Sequence, residues 1–340
     1  MTRPAADRPD EFELIAELFA PLASGCPGAL DLTDDAAFLK AEPGFDTVAT
    51  MDAMVAGVHF LPDDPPDLIA RKLVRVNLSD LAAKGARPAF IMLAAAFPAG
   101  TGWDWLRSFA DGLKQDVEHF GVSLIGGDTV STPGPLTLTL TALGRVEAGR
   151  GVLRSGARPG DDVWVSGGIG DGALGLRAIR GQLSGLDSAD LAFLAGRYRL
   201  PTPRCGLGRR LPGLATAGMD VSDGLVQDLG HLCRASGVAA EIEAGRVPLS
   251  AAAGRAVAAD ESLLALVLTG GDDYELLFTA PPASAAALAG LSAEAGVPLF
   301  RIGRVAAAAE GEGLVTVRGG DGRALALKQA GWRHFRHAGQ

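Results

Sequence analysis

Cysteine is scarce in this chain. Three occur among 340 residues, Cys26, Cys205 and Cys233, and they are far apart. An odd number with no CxxC pair excludes a disulfide framework and a thiolate zinc site, and fits a reducing compartment. Long apolar runs are missing as well. The longest, Ala89 to Phe97, is closed by Pro88 and Pro98, and falls well short of the ~20 residues that cross a hydrocarbon layer. The first residues, Met1 to Asp7, are polar and lack the apolar core of a signal peptide, so a soluble, cytoplasmic protein without membrane contact is expected. Basic charge is in deficit: 31 Lys and Arg stand against 40 Asp and Glu, a net charge of −9. That balance argues against a protein that coats nucleic acid. Several catalytic signatures are also missing. The chain has no GxxxxGK[ST] phosphate loop, no HExxH, no GxSxG elbow, and its five histidines show no paired zinc spacing. His334 and His337 fall in the tail, where a solvated surface is expected.

What remains is apolar and glycine-rich. Apolar residues make up 48% and charged residues 21%, enough for a large core and too apolar for disorder. The length suits two domains. Helices are expected over 11–23, 68–84, 103–120, 171–180, 223–236 and 283–296, from apolar spacing and from Asp67, Gly85 and Gly121 near their ends. The alanine-rich 251–259 reads as helix or surface. Strands are expected in 45–60 before a loop, and over 89–97, 136–143, 162–167, 238–243, 264–269 and 274–279. The stretch 149–162, rich in Gly, Arg and Pro, reads as a seam between domains 1–150 and 151–340. Helix and strand alternate in both halves, so the class is mixed α/β.

Aspartates at expected junctions carry the chemistry. Asp34 and Asp35 precede Ala-Ala-Phe-Leu; Asp52 follows Val-Ala-Thr; Asp128 follows Ser-Leu-Ile-Gly-Gly; Asp220 and Asp223 flank Ser222; Asp272 and Asp273 follow Val-Leu-Thr-Gly-Gly. Glycine beside a carboxylate exposes backbone that a ligand can approach, although the same pairing also serves ordinary turns and caps. Carboxylates that converge repel one another, and a hard cation such as Mg²⁺ relieves the repulsion. Asp80 stands within an apolar helix beside Leu73, Val76 and Leu81, where an ionised group needs a metal or a partner such as Lys84. The halves echo each other faintly, Asn77–Asp80 and Gly126–Asp128 against Asp220–Asp223 and Gly270–Asp272. Gly168 to Ala173 formally matches GxGxxA, but the acidic residue that should follow would fall at Asp187 or Asp190 in a helix-like stretch. Cys233, near His231 on an apolar helix, reads as a buried thiol.

The segments EFELIAELFA, DDAAFL, MDAMVAGVHF, VNLSDLAAKGARPAF, LIGGDT, RSGARPGDDVWVSG, MDVSDGLVQDLGHL, LTGGDDYELLF and GWRHF, in this order, together resemble the thiamine-monophosphate kinase family, within the superfamily of aminoimidazole ribonucleotide synthetase. The resemblance covers almost the whole chain. It implies transfer of the ATP γ-phosphoryl group to thiamine monophosphate, several Mg²⁺ ions, and a homodimer whose N-terminal sheets pair into a barrel. The C-terminal α/β domain would complete the site. By position, metal ligation falls to Asp35, Thr50, Met51, Asp52, Asp80, Asp128, Asp220 and Asp223. Nucleotide contacts fall to Gly127, Asp128, Arg154 and Ser222, and thiamine-phosphate contacts to His59, Asp272 and Trp332. Three positions depart from the family pattern: Asp31-Leu32-Thr33 replaces Gly-Ile-Gly, Met51 replaces Thr and can offer only its backbone carbonyl, and Asp272 replaces Glu. The acceptor oxygen of a phosphate monoester is already anionic, so no general base is expected; positioning and charge neutralisation do the work. Other ATP-using relatives would need a reactive cysteine that neither Cys26 nor the C-terminus supplies, and a binding protein without catalysis is the reading from another class.

Overall fold

The computed structural model describes residues 11–309, 313–327 and 330–332. The chain divides into two units: Met1–Leu81 with Ala86–Gly149, and Ala82–Gly85 with Arg150–Gln340.

The first unit opens with a helical stretch that changes pitch, from α1 (Glu11–Leu14) through a π turn to a 3₁₀ turn ending at Ala23. It continues with β1 (Phe45–Val55), α2 (Pro66–Ala83), β2 (Arg87–Pro98), α3 (Trp103–Phe120), β3 (Ser123–Thr132) and β4 (Thr137–Glu147). The sheet runs β1-β4-β2-β3, with only β2 and β3 parallel. Alternation along β4 buries Leu138, Leu140 and Ala142, as a sheet with one covered face requires. The cover is α2 and α3. Thr50 on β1 bonds to Asp80 on α2, and Phe97 on β2 meets Phe109 on α3 edge to face, ring centroids 6.0 Å apart. Asp116 on α3, fully buried, takes Arg71 and Arg75 of α2, at 3.1 and 2.6 Å. Gly112 lets α3 approach α2 closely, since a Cβ there would stand 2.3 Å from the Asp67 carbonyl oxygen. Gly121 ends α3 at φ 64°, the left-handed stop that glycine allows.

The opposite face of the sheet is half clothed. Cys26 and Ala29 pack with Ile125, against Phe90 and Leu143. Beyond them Met51, Ala53, Met92, Ala94 and Val130 are exposed. Cross-strand register sets Ala53, Thr139, Ala94 and Asp128 in one row.

The second unit holds β5 (Asp162–Ser166), α4 (Asp171–Ile179), α5 (Ser188–Arg199), α6 (Cys205–Gly208), β6 (Ala217–Asp220), α7 (Leu225–Ser236), β7 (Val238–Glu243), α8 (Ala251–Ala259), α9 (Leu263–Thr269), β8 (Leu276–Ala280), α10 (Ala285–Ala295), β9 (Leu299–Ala307) and β10 (Val315–Arg318). The sheet order is β10-β7-β9-β5-β8-β6, with only β10 and β7 parallel. Its core includes Val163, Val165, Leu225, Leu229, Ile242 and Leu277.

Three expectations are corrected. Residues 264–269 form helix α9, not a strand: a short run of Leu, Ala and Val has no decisive period, and leucine and alanine favour helix. Asp52 and Asp128 lie inside β1 and β3 rather than after them, because polar residues at a sheet's edge do not stop its ladder. Asp67 sits within the first turn of α2, which starts at Pro66, as the fixed φ of proline allows. The three cysteines are free, Cys26 and Cys233 buried, and burial pushes the Cys233 thiol up to about 11.

Candidate functional site

In the first unit the acids are placed by strands and one helix. Thr50 and Asp52 share the parity of buried Met54, on the face that α2 covers. The Thr50 hydroxyl donates to Asp80 Oδ2 at 2.5 Å, and the Asp52 N–H donates to Asn77 Oδ1 at 3.0 Å. Asn77 is fixed in turn by its amide, which donates to the Leu73 carbonyl at 2.9 Å. Asp80 is therefore half-buried with a hydroxyl partner, not sunk in apolar surroundings as its helix suggests. The last turn of α2 rotates it to the helix edge facing β1. Lys84 reaches the Gly218 carbonyl at 2.8 Å, within the second unit. Met51 points the other way and is 65% exposed. His59 Nδ1 accepts the Val55 N–H at 3.0 Å, which leaves the ring proton to Nε2, while its carbonyl takes Lys72 Nζ.

Asp35, Gly127 and Asp128 line one cleft of about 380 Å³, together with Asp34, Phe19 and Leu32. Gly127 is required where it stands, since a Cβ would fall 1.9 Å from the Leu93 carbonyl oxygen. Asp52 and Asp128 do not meet. They occupy the two outer strands of a four-stranded sheet, three strand spacings or roughly 14 Å apart along it.

In the second unit the acids sit on loops. Asp220 ends β6, and the next three residues turn tightly. The N–H groups of Ser222, Asp223 and Gly224 all donate to Asp228 Oδ2, at 3.0, 3.0 and 3.1 Å. Burial pushes Asp228 up to about 8, and the charges of Asp220 and Asp223 add to the rise. A second loop lies alongside: the Asp272 N–H donates to the Ser222 carbonyl at 2.9 Å, and the Tyr274 N–H to that of Val221 at 2.8 Å. Trp332, 47% exposed, donates its N–H to the Asp223 carbonyl at 3.0 Å, and Gln227 holds the Trp332 carbonyl at 2.6 Å. Thus Asp220, Ser222, Asp223, Asp272 and Trp332 share one neighbourhood. Arg154 is exposed, its carbonyl held by Ser236 Oγ at 3.1 Å. The Arg333, His334 and His337 positions lie outside the described residues.

The GxGxxA stretch does form a strand-to-helix turn, and its amides are already taken. The Gly170 and Gly172 N–H groups donate to Asp273 Oδ2 and Oδ1, at 2.7 and 3.0 Å. Asp187 caps α5, accepting the Asp190 N–H at 2.8 Å, and Asp190 pairs with Arg255. A dinucleotide has no free helix terminus there.

The donors fit magnesium in kind, being carboxylates and a hydroxyl. Among the described residues no three Asp, Glu, His or Cys side chains stand close enough to hold a metal ion. Bare carboxylates repel, the sheet separates Asp52 from Asp128, and Asp228 spends its inner oxygen on backbone. Asp228 and Asp273 were missed as site-shaping groups; the one readable signal for Asp228 was its spacing four residues beyond Gly224, suited to accept loop amides.

The fold class is that of the AIR synthase related proteins. The N-terminal domain model of that family matches residues 33–146 and the C-terminal domain model residues 158–316. Within it the resemblance narrows. The chain is 45% identical to a thiamine-monophosphate kinase of Caulobacter vibrioides over 97% of this chain and 92% of the relative. The crystal structure of a thiamine-monophosphate kinase from Stenotrophomonas maltophilia K279a superposes with a TM-score of 0.78 at 42% identity, covering 86% of this chain and 91% of that one. AaThiL complexed with AMPPCP and TMP superposes at 0.75 and 31% identity, covering 89% and 91%. The chain belongs to the thiamine-monophosphate kinase family.

Proposed function

We infer that the protein transfers the γ-phosphoryl group of ATP to thiamine monophosphate, giving thiamine diphosphate and ADP. The observation that carries this reading is the paired loops of the second unit, which set Asp220, Ser222 and Asp223 beside Asp272 and Trp332. One loop offers carboxylates and a hydroxyl for a metal-bound nucleotide. The other offers the Asp272 carboxylate, and Trp332, seated against Asp223 and Gln227, offers an aromatic plane, for a cationic heteroaromatic acceptor. Asp35, Thr50, the Met51 carbonyl, Asp52, Asp80 and Asp128 serve as the metal ligands of the first unit. Gly127 and Arg154 complete the nucleotide contacts, and His59 the acceptor contacts. Bound magnesium supplies charge neutralisation between two polyanions. The protein's own part is to hold the attacking phosphate oxygen in line with the γ-phosphorus, with no side chain required to take a proton.

The domain roles follow: 1–150 for nucleotide, metal and dimer contacts, 151–340 for completing the site. A homodimer is part of the reading. One feature supports it. The sheet face that carries Thr139, Thr141 and Asp128 also exposes Met51, Ala53, Met92, Ala94 and Val130, more apolar surface than a sheet face built for water presents. Among the described residues no helix is long and apolar enough to cross a membrane, and three free thiols suit the cytoplasm.

The test is an assay of purified protein for thiamine diphosphate, with and without Mg²⁺, with thiamine as a parallel acceptor. Product that needs Mg²⁺ and thiamine monophosphate is expected. Saturable binding of both substrates without ADP release would mean a binding protein instead. Sedimentation should give twice the 34.8 kDa of one chain; a monomer in the active fraction would remove the dimer.

A further inference from the structure

Asp273 is 1% exposed and makes no contact that a ligand would need. It is flanked by two residues with left-handed backbones, Asp272 at φ 71° and Tyr274 at φ 52°. Neither is glycine, and such a conformation persists only where its surroundings impose it. The Asp273 carboxyl between them accepts one N–H from Gly170 and one from Gly172 at the start of α4, and the N–H groups of Asp272 and Tyr274 donate to the Ser222 and Val221 carbonyls. Gly172 fits against this loop because it has no side chain: a Cβ would stand 2.3 Å from the Asp272 carbonyl oxygen. Behind the loop, Glu275 is fully buried and takes Ser166, Arg197 and Arg204; Arg197 also reaches the Asp273 carbonyl at 3.4 Å. The loop that bears Ser222 and Asp223 has a separate clamp, Asp228.

We propose that Asp273 is a positioning residue for the acceptor: seated on the N-terminal amides of α4, it fixes the left-handed turn that aims the Asp272 carboxyl at thiamine monophosphate, while Asp228 collects the amides of the adjoining nucleotide loop. Each loop thus has its own buried carboxyl beneath it, and two backbone bonds join the loops to each other. An amide at position 273 keeps one acceptor oxygen and turns a donor toward a donor, so one of the two clamping bonds is lost. The inference rests on the reading of Asp272 as an acceptor contact.

The experiment compares Asp273→Asn, Gly172→Ala and Asp272→Ala in the full chain, by steady-state kinetics with each substrate varied in turn. Gly172→Ala disturbs the same turn from the helix side without leaving a buried group unpaired, and decides the matter if Asp273→Asn does not fold. Asp273→Asn and Gly172→Ala should raise KM for thiamine monophosphate by about tenfold, with KM for ATP within about twofold and kcat affected less than KM. Equal losses for both substrates, in step with a lowered melting temperature, would reduce Asp273 to a structural role and overturn the proposal. A wild-type acceptor KM in both turn variants, with Asp272→Ala raising it, sinks the proposal and leaves the Asp272 reading intact. An unchanged acceptor KM in all three removes that reading, and the proposal with it.

Discussion

The two units place the same residue type by different means. In the first, acids ride on a sheet, and their spacing follows the ladder: Thr50 and Asp52 share one face of β1, while Asp128 is held three strand spacings away from it. In the second, acids ride on loops, and a buried carboxylate under each loop collects the amides: Asp228 takes three and Asp273 two. A ladder holds position at the expense of proximity, since strands stand about 4.8 Å apart. A clamped loop brings residues together, but a few hydrogen bonds then carry the whole arrangement.

The largest effects should come from the ladder acids. Asp52→Ala and Asp128→Ala should each lower kcat/KM by roughly 10²–10³-fold, the scale of losing one group that stabilises developing charge. Circular dichroism and sedimentation should stay as in the parent, because neither side chain lies in the core. Near-normal turnover in both variants would contradict the roles given to the first unit.

The loop clamps should reveal themselves through pH. Asp273 is pushed from 3.8 up to about 8, chiefly by burial, against the pull of two backbone N–H bonds. A folded chain that holds a proton its unfolded form has released is stabilised by low pH. The contribution is complete below about pH 4 and is lost as pH rises toward 8. Thermal midpoints measured without metal should therefore fall between pH 5 and 8, and Asp273→Asn should show a shallower fall. Parallel slopes would mean that Asp273 keeps its charge in the fold.

Much of this was legible beforehand, and the reasons differ by element. Helix α3 could be read closely because its apolar period and Gly121 agree. Strand β4 could be read because Leu and Thr alternate without interruption. Helix α9 could not, since its run is apolar at every position before Thr269 and local pattern is silent there. The acids of the VSDG and GGDD stretches were found from their glycines and from family resemblance. Their clamps were not, because Asp228 reads as one more polar residue on an amphipathic helix, and Asp273 as a neighbour of Asp272. Only the fold shows that each points inward to backbone. The separation of Asp52 from Asp128 was hidden for a related reason: the order β1-β4-β2-β3 is non-sequential, so closeness to glycine says nothing about which strands adjoin.

The smallest effect concerns the place where, among the described residues, the first unit relies on a strained loop. Leu30, Asp31 and Leu32 take φ of 53°, 53° and 57° in succession, just before Asp34 and Asp35. Glycine carries no penalty there, while an L side chain costs roughly 1–2 kcal/mol per residue, less for Asp. Asp31 stands where the family pattern has its first Gly of Gly-Ile-Gly, and it is exposed, so its removal costs no core contact. Unlike Asp272 and Tyr274, these residues have no buried carboxylate holding the turn. Asp31→Gly should therefore stabilise the protein, by about 0.5 kcal/mol once the added freedom of glycine in the unfolded chain is set against the relief, a rise of roughly 1–3 °C in the melting temperature of a unit this size. Tyr274→Gly, by contrast, should gain little stability and lose acceptor affinity, because that turn is set from beneath. Equal gains at both positions would erase the distinction between a tolerated strain and an imposed one.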